Sequence, residues 1–383
     1  MTVSDLLSNE DLRLKEFPVA KEMVFLAHAG DCPLPNRVAE AVANYARQCT
    51  VGDQEKFVFP GILNEGRKLA AQMLHCQPDE IAFVGPTSLA LSLIASGLKF
   101  RKGENILIYF DDYPSNVYPW LAMADQGVEV RMMNIRELGV IRPKDVMGQV
   151  DENTRLVALA SCHFISGYRI DHQAIGKYLR ERNILFCLDA IQTLGAFPTT
   201  VENVDFLAAD AHKWLLGPCG AGILYVNKSV QDRLNPPIYG WNNVRCPNYL
   251  AQEQIVFRTG SQKYEAGTHN LLGQVGLVAA LQLVNELGIQ NIARELSRKR
   301  AWLASAIQAK GYIVLQSNAP PESTGSILSF FKPGADMPAL HQKLMDAYIF
   351  TSLRTDRTSQ KYIRLSPHYY NTDAELQRTV TFL

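Results

Sequence analysis

The segment from Val204 to Val226 places a lysine where its neighbours make it chemically useful. Two apolar runs that read as strands, Phe206 to Ala209 and Ile223 to Val226, enclose the polar tetrapeptide Asp210-Ala-His-Lys213 and the turn Gly217-Pro-Cys-Gly-Ala-Gly222. An amine held between buried strands loses hydration, which lowers its pKa and frees the neutral form to attack an aldehyde; in an exposed loop it would do neither. Upstream, the apolar run Leu185-Phe-Cys-Leu ends in Asp189, and Gln192 follows three residues later. Ligands of open parallel sheets sit beyond the carboxyl ends of the strands. A carboxylate there can pair with the protonated ring nitrogen of pyridoxal 5'-phosphate (PLP) or simply cap a helix. A third stretch, Ile81-Ala-Phe-Val-Gly-Pro-Thr-Ser-Leu-Ala90, reads as strand, turn and helix. Its first amides and the hydroxyls of Thr87 and Ser88 suit an anion such as phosphate, although the same hydroxyls also serve as helix caps.

The elements that position these residues alternate through the first two thirds of the chain. Strands are expected at Ile81 to Val84, Ile106 to Tyr109, Val128 to Met132, Leu156 to Ala160, Leu185 to Leu188, Phe206 to Ala209 and Ile223 to Val226. Helices are expected at Ser88 to Leu98, Asn116 to Gln126 and His172 to Arg182. Such alternation predicts an α/β fold, a mainly parallel sheet with crossover helices on both faces. From Asn227 to Asn270 the periodicity fails, a long irregular excursion of the kind that often carries function. A helical tract then runs from Leu271 to Leu287 and from Ile289 to Lys310, broken at Gly288. Strands at Ile327 to Phe331, Ile349 to Leu353 and Tyr362 to Leu365, a helix from Pro338 to Ala347 and a last helix from Asp373 complete a smaller α+β part.

Four motifs, in order, carry a resemblance: Asp189-Ala-Ile-Gln192, His212-Lys213-Trp214, Glu265-Ala-Gly-Thr-His-Asn270 and Ile363-Arg-Leu-Ser-Pro-His-Tyr-Tyr-Asn-Thr372. Together they resemble the class V aminotransferases among fold-type I PLP enzymes, which include cysteine desulfurases, kynureninases and isopenicillin N epimerase-like proteins. The resemblance implies a seven-stranded, mainly parallel sheet with a smaller C-terminal α+β domain. The implied division is an N-terminal segment 1–30, a large PLP-binding domain 31–270, and a long helix with the small domain 271–383. It implies PLP as cofactor, with Lys213 as the Schiff-base lysine, Asp189 as partner of the pyridine nitrogen and Gln192 as donor to the ring's phenolic oxygen. Thr87, Ser88, Asp210 and His212 fall at the phosphate. Thr268 matches a threonine that reaches the neighbouring subunit's phosphate, which implies a homodimer. Tyr113 aligns with the aromatic residue that stacks on the ring, Arg364 with the arginine that takes the α-carboxylate of a small amino acid, and His28 falls on the substrate side.

Three residues depart from the family pattern. Pro86 removes an amide donor from the phosphate turn, Asp210 stands where many relatives have serine, and Phe164 replaces an asparagine that desulfurases use near the ring oxygen. The segment around Phe164 looks more like the epimerase and kynureninase branches. The loop Phe350 to Lys361, where a desulfurase supplies its attacking thiol, contains no cysteine. The expected activity is therefore an aminotransferase on a small amino acid, with a carbon–sulfur lyase, a desulfurase, an epimerase or a silent PLP-binding scaffold as alternatives. A nicotinamide dehydrogenase is not indicated, since no G-x-G-x-x-G follows a strand.

Composition narrows the remaining classes. The chain has 383 residues with 38 basic and 38 acidic side chains, so a nucleic-acid partner is not expected. The basic cluster Arg294 to Arg300 reads as the solvated face of a helix. Its seven cysteines are scattered with no metal-ligand spacing, so neither disulfides nor a metal are expected. The longest apolar run, Leu89 to Leu98, is too short and too serine-rich to span a bilayer. Met1-Thr-Val-Ser-Asp does not begin like a signal peptide, and a cytoplasmic location without membrane contact is the expectation.

Overall fold

The computed structural model describes residues 1–58 and 61–383. Seven strands form the central sheet: β1 (Ile81–Ala82), β2 (Asn105–Ile108), β3 (Glu129–Met132), β4 (Thr154–Ala160), β5 (Leu185–Asp189), β6 (Phe206–Asp210) and β7 (Gly222–Val226). Their order is β1-β7-β6-β5-β4-β2-β3. The pairs from β3 to β6 are parallel, whereas β7 runs antiparallel to both β6 and β1.

The inner strands are largely apolar because both faces of the sheet are covered, whereas the edge strand β3, Glu129-Val-Arg-Met132, is partly exposed. Leu107, Val157, Leu159, Phe186, Leu188, Leu207 and Ile223 enter one core. Their immediate neighbours Ile106, Leu156, Ala158, Leu185, Phe206 and Leu224 enter the other. This alternation is the two-residue period of a strand, with an apolar layer on each side. The first core is closed by helices α2 (Gly61–Leu74), α4 (His172–Arg180) and α5 (Leu271–Leu287), with α1 (Asn36–Gln48) packed on α5; the second is closed by α3 (Thr87–Gly97) and Trp120.

All seven expected central strands are present, but two other expectations change. The single helix over Asn116 to Gln126 is instead a short helix, Tyr118–Leu121, between two 3-10 turns. Pro119 lies in its first turn and has no amide to continue a ladder. The single strand over Ile349 to Leu353 is divided: Ile349–Phe350 pairs in parallel with Val24–Phe25, while Ser352–Thr355 joins another sheet.

That second sheet is made of β8 (Ile313–Val314), β9 (Leu328–Phe331), β10 (Ser352–Thr355) and β11 (Lys361–Leu365), in the order β10-β11-β9-β8. Helix α6 (Ile289–Ala309) and the terminal helix Asp373–Thr381 supply Leu303, Ile307, Leu376 and Val380 to its core. Between α5 and α6 the chain bends by 79°. Gly288 sits at the break with φ of 78°, a conformation that favours glycine. No single described helix is long and apolar enough to cross a membrane.

A buried ion pair ties β1 to the irregular segment that follows β7. Glu265 accepts from Nη2 of Arg67 at 2.5 Å and from the Phe83 amide at 2.7 Å, and all but a few per cent of both side chains is buried. This gives the Glu265 motif a structural role, because it fixes the strand end that leads into the Thr87 turn. Glu265→Ala leaves the Arg67 charge buried and unpaired, at a cost of about 3 to 5 kcal/mol. Denaturant unfolding monitored by circular dichroism is expected to show a loss of that size, with Glu265→Gln intermediate.

Candidate active site

Strands β4 and β5 end level with one another, Ala160 opposite Asp189, whereas β6 runs two residues past Ala208, the partner of Asp189. Their carboxyl ends, with the segment after β2, bring together Tyr113, Asp189, Asp210, His212 and Lys213. Lys213 is 6% exposed and its Nζ lies 5.3 Å from the centroid of the Tyr113 ring. Burial brings its pKa down to about 8, opposed by the nearby Asp189 and assisted by the charges of Arg364 and Arg354. A substantial neutral fraction at mild pH is what an amine needs to attack an aldehyde.

Asp189 is buried, and Oδ1 accepts from the Ile191 amide at 3.1 Å. Burial raises its pKa to about 6, against the Ile191 amide and Lys213. A cation at its free oxygen would reverse that cost. The sequence reading did not single out Asp112, which lies close enough to Asp189 to feel its charge; burial and then that charge raise the Asp112 pKa to about 7. Asp112 accepts from the Tyr113 amide at 2.7 Å, from Asn116 at 2.9 Å and from the Ala160 amide at 3.2 Å, so it fixes the backbone that carries the Tyr113 ring. Its signal was the acidic pair directly before Tyr113.

Gln192 is held on both sides: Oε1 accepts from the Trp214 indole at 2.9 Å and Nε2 donates to the Ala29 carbonyl at 3.1 Å. One amide hydrogen remains for another acceptor. Trp214, beside the lysine, is thus what orients Gln192.

At the start of α3, the Asp210 amide donates to the Thr87 hydroxyl at 2.9 Å, which leaves the hydroxyl hydrogen to point elsewhere. The Ser88 and Ser115 hydroxyls are 2.7 Å apart. Asp210, the departure from serine, is engaged: Oδ2 accepts from Nδ1 of His212 at 2.5 Å and from the Gly220 amide at 3.0 Å. Its Oδ1 is buried with no partner. Since Nδ1 of His212 must donate to this carboxylate, Nε2 donates only when the ring carries both protons. Gly85 completes the cradle, because a Cβ there would lie 2.5 Å from the Gly222 amide nitrogen and 3.0 Å from Asp210 Oδ1.

Arg364, on β11, is 1% exposed and donates through Nη1 to the Phe164 carbonyl at 2.8 Å; its Nη2 lies 3.4 Å from the Ser352 hydroxyl. The exchange at Phe164 therefore replaces a side chain without removing the carbonyl that orients the arginine. The Phe164 ring also meets Tyr113 edge-on at 5.4 Å.

Two expected residues stand apart. His28 has no exposed surface; Nδ1 is 3.0 Å from the Ser366 carbonyl and Nε2 is 2.8 Å from the Tyr370 hydroxyl. Burial lowers its pKa to about 3. With both nitrogens engaged it supports the Ala27 to Gly30 turn and is not placed to contact a substrate, which corrects the expectation for it. Thr268 is exposed and makes no hydrogen bond to this cluster.

PLP fits these residues. The chain offers a buried amine, a buried carboxylate with a free oxygen, an aromatic face beside the amine, and a glycine-lined anion turn at a helix start. The buried Asp210 Oδ1 makes this turn less favourable to an anion than one lined by donors alone. Comparisons with known proteins agree with this reading of the fold. The model for the family "Aminotransferase class-V" matches residues 24–379. A probable cysteine desulfurase of Methanothermobacter thermautotrophicus is 30% identical over 97% of this chain and 96% of its own. An uncharacterized aminotransferase of Bacillus subtilis is 27% identical over 95% of this chain and 94% of its own. Among solved structures, a cysteine desulfurase of Thermococcus onnurineus superposes with a TM-score of 0.88 at 23% identity, over 97% of this chain and 96% of the other. The cystine C-S lyase C-DES, in complex with its product cysteine persulfide, superposes with a TM-score of 0.86 at 21% identity, over 95% and 98%.

The Lys213 environment predicts how the apoprotein takes up PLP. Capture requires the neutral amine, so its rate is expected to rise about tenfold per pH unit below pH 8 and to level off above it. Stopped-flow absorbance of apoprotein mixed with PLP follows this directly. A plateau reached only near the ordinary lysine pKa would show that Lys213 is not desolvated.

Proposed function

The chain belongs to the class V aminotransferase family, and from that premise we propose that it is a PLP-dependent lyase that breaks the carbon–sulfur bond of a small sulfur-containing amino acid. This departs from the aminotransferase activity expected from the family's name. Relatives matched over nearly their whole length include probable cysteine desulfurases, in which carbon–sulfur cleavage is the common element.

The observation that carries the choice between lyase and desulfurase is the segment Phe350 to Lys361, which has no cysteine beside the arginine-bearing strand. Most of the other thiols are held protonated by burial. Burial raises the Cys162 pKa to about 12 and pushes Cys187 well above its ordinary value. Cys219 is exposed, but on the Asp210 side, and its pKa is raised by partial burial and by Asp210. A thiol is a poor nucleophile until it ionises, so sulfur leaves on the departing group and is not captured by the protein.

Bound PLP supplies an aldehyde for the substrate amine and a cationic ring that draws electrons from the α-carbon. Asp189 would receive the ring N–H, and Tyr113 would cover one face. Arg364 takes the α-carboxylate with its planar fork. Lys213 would take the α-proton at Nζ, and the Cβ–S bond would break with its electron pair leaving on sulfur. The net reaction converts a cysteine thioether or disulfide and one water into pyruvate, ammonium and the corresponding thiol or persulfide. Exposed Thr268 suits a site completed by a second copy of the chain, so the same reading includes a homodimer.

Incubating the holoprotein with L-cystine, S-methyl-L-cysteine and a panel of sulfur-free amino acids plus 2-oxoglutarate tests the proposal. Pyruvate and ammonia are expected in equal amounts, accompanied by thiol or persulfide. Amino transfer to 2-oxoglutarate without ammonia would restore the aminotransferase reading. Alanine formation with sulfur retained on a protein cysteine would establish a desulfurase.

A further inference from the structure

Two arginines converge on the substrate side of the site, and a single α-carboxylate accounts for only one. Ser352 and Arg354 lie opposite Arg364 and Tyr362 in the β10–β11 ladder, so all four occupy one face of that sheet. A Cβ built on Gly30 would lie 3.6 Å from Nη2 of Arg354 and 3.6 Å from Nη2 of Arg364, so the two guanidinium groups straddle one point. Neither has a carboxylate within ion-pair distance among the described residues, and the Nε atom of each is buried with no partner. Arg357, three residues away, is different: it pairs with Asp111 and donates to the Phe110 carbonyl.

Like charges held this close are unfavourable. After burial, the Arg354 charge is the next cause that brings the Arg364 pKa down to about 9, and both arginines depress Lys213. A monoanionic amino acid would neutralise Arg364 and leave Arg354 facing it. We infer that Arg354 is a second anion-binding residue and that the substrate is a dianionic amino acid, with a carboxylate, sulfinate or sulfonate at the end of a short side chain. Within the lyase reading, on which this rests, the substrate class narrows to cysteine derivatives whose sulfur carries an anionic substituent. The guanidinium fork matches any of these groups, whereas a neutral side chain leaves the second charge uncompensated.

Binding can be measured without carbon–sulfur cleavage. Holoprotein is titrated with L-aspartate and with L-asparagine, which share a shape and differ by one charge, and the cofactor absorbance reports each Kd. Wild type is expected to favour aspartate by about 10- to 100-fold. In Arg354→Gln that ratio falls towards one, and in Arg354→Lys it recovers in part. A wild-type ratio near one would overturn the inference. So would an equal weakening of both ligands in Arg354→Gln, because it would place both arginines on the α-carboxylate. A preference for aspartate with no thiol released from any cysteine derivative would sink the lyase reading and leave this one standing. Release from neutral derivatives with no charge preference would do the reverse.

Discussion

A lysine ammonium is costly to bury, and the seam in which Lys213 lies gives it little compensation. No carboxylate forms an ion pair with it; Asp189 offsets part of the desolvation at a distance, while Arg354 and Arg364 add to it. Much of the surrounding structure follows from that constraint. The parallel register carries β6 two residues past Ala208, the partner of Asp189, so that the 210–213 segment lies beyond the carboxyl end of β5. The phosphate end must be closed by backbone, and Gly85 and Gly222 pack too tightly there to accept a Cβ. The substrate end retains unpaired positive charge. The protein without its anions is thus electrostatically incomplete, with buried carboxylates at Asp112, Asp189 and Asp210 on one side and buried cations at Lys213 and Arg364 on the other. The ring cation of PLP would offset the charge of Asp189, and an anion at the substrate end would offset that of Arg364.

The departures from the family pattern are accommodated by local exchanges. Asp210 in place of serine does not face an anion with both oxygens, because His212 and the Gly220 amide take one of them. Phe164 in place of asparagine keeps its carbonyl on Arg364 and adds an edge contact to Tyr113. Pro86 contributes no amide, but it stands at the cap of α3, just before the Thr87 and Ser88 amides, which have no preceding carbonyl within the helix.

The central sheet was legible in the sequence because most of its strands are buried on both faces and bounded by polar turns, so apolar runs coincide with elements. Lys213, Asp189, Tyr113 and Arg364 could be singled out because their motifs follow a family's order, and Asp189 also because a strand ends on it. What could not be read depends on contacts between distant segments. Nothing in the local sequence separates Arg354, left unpaired, from Arg357, paired with Asp111 some 250 positions earlier. The same holds for Glu265 and Arg67, 198 residues apart. His28 was misread because a histidine near a site in sequence can equally be locked in an aromatic cluster, here with Phe25, His368 and Tyr370. The broken helix after Tyr113 carried its own warning in Pro119.

Borohydride reduction of the PLP-loaded protein, followed by proteolysis and mass spectrometry of the labelled peptide, tests the central claim most directly, because reduction fixes the cofactor on whichever lysine holds it. The account predicts one label, on Lys213, and none on that peptide in Lys213→Ala. A label on any other lysine in the wild-type protein would contradict it and remove the geometric basis for the assigned site.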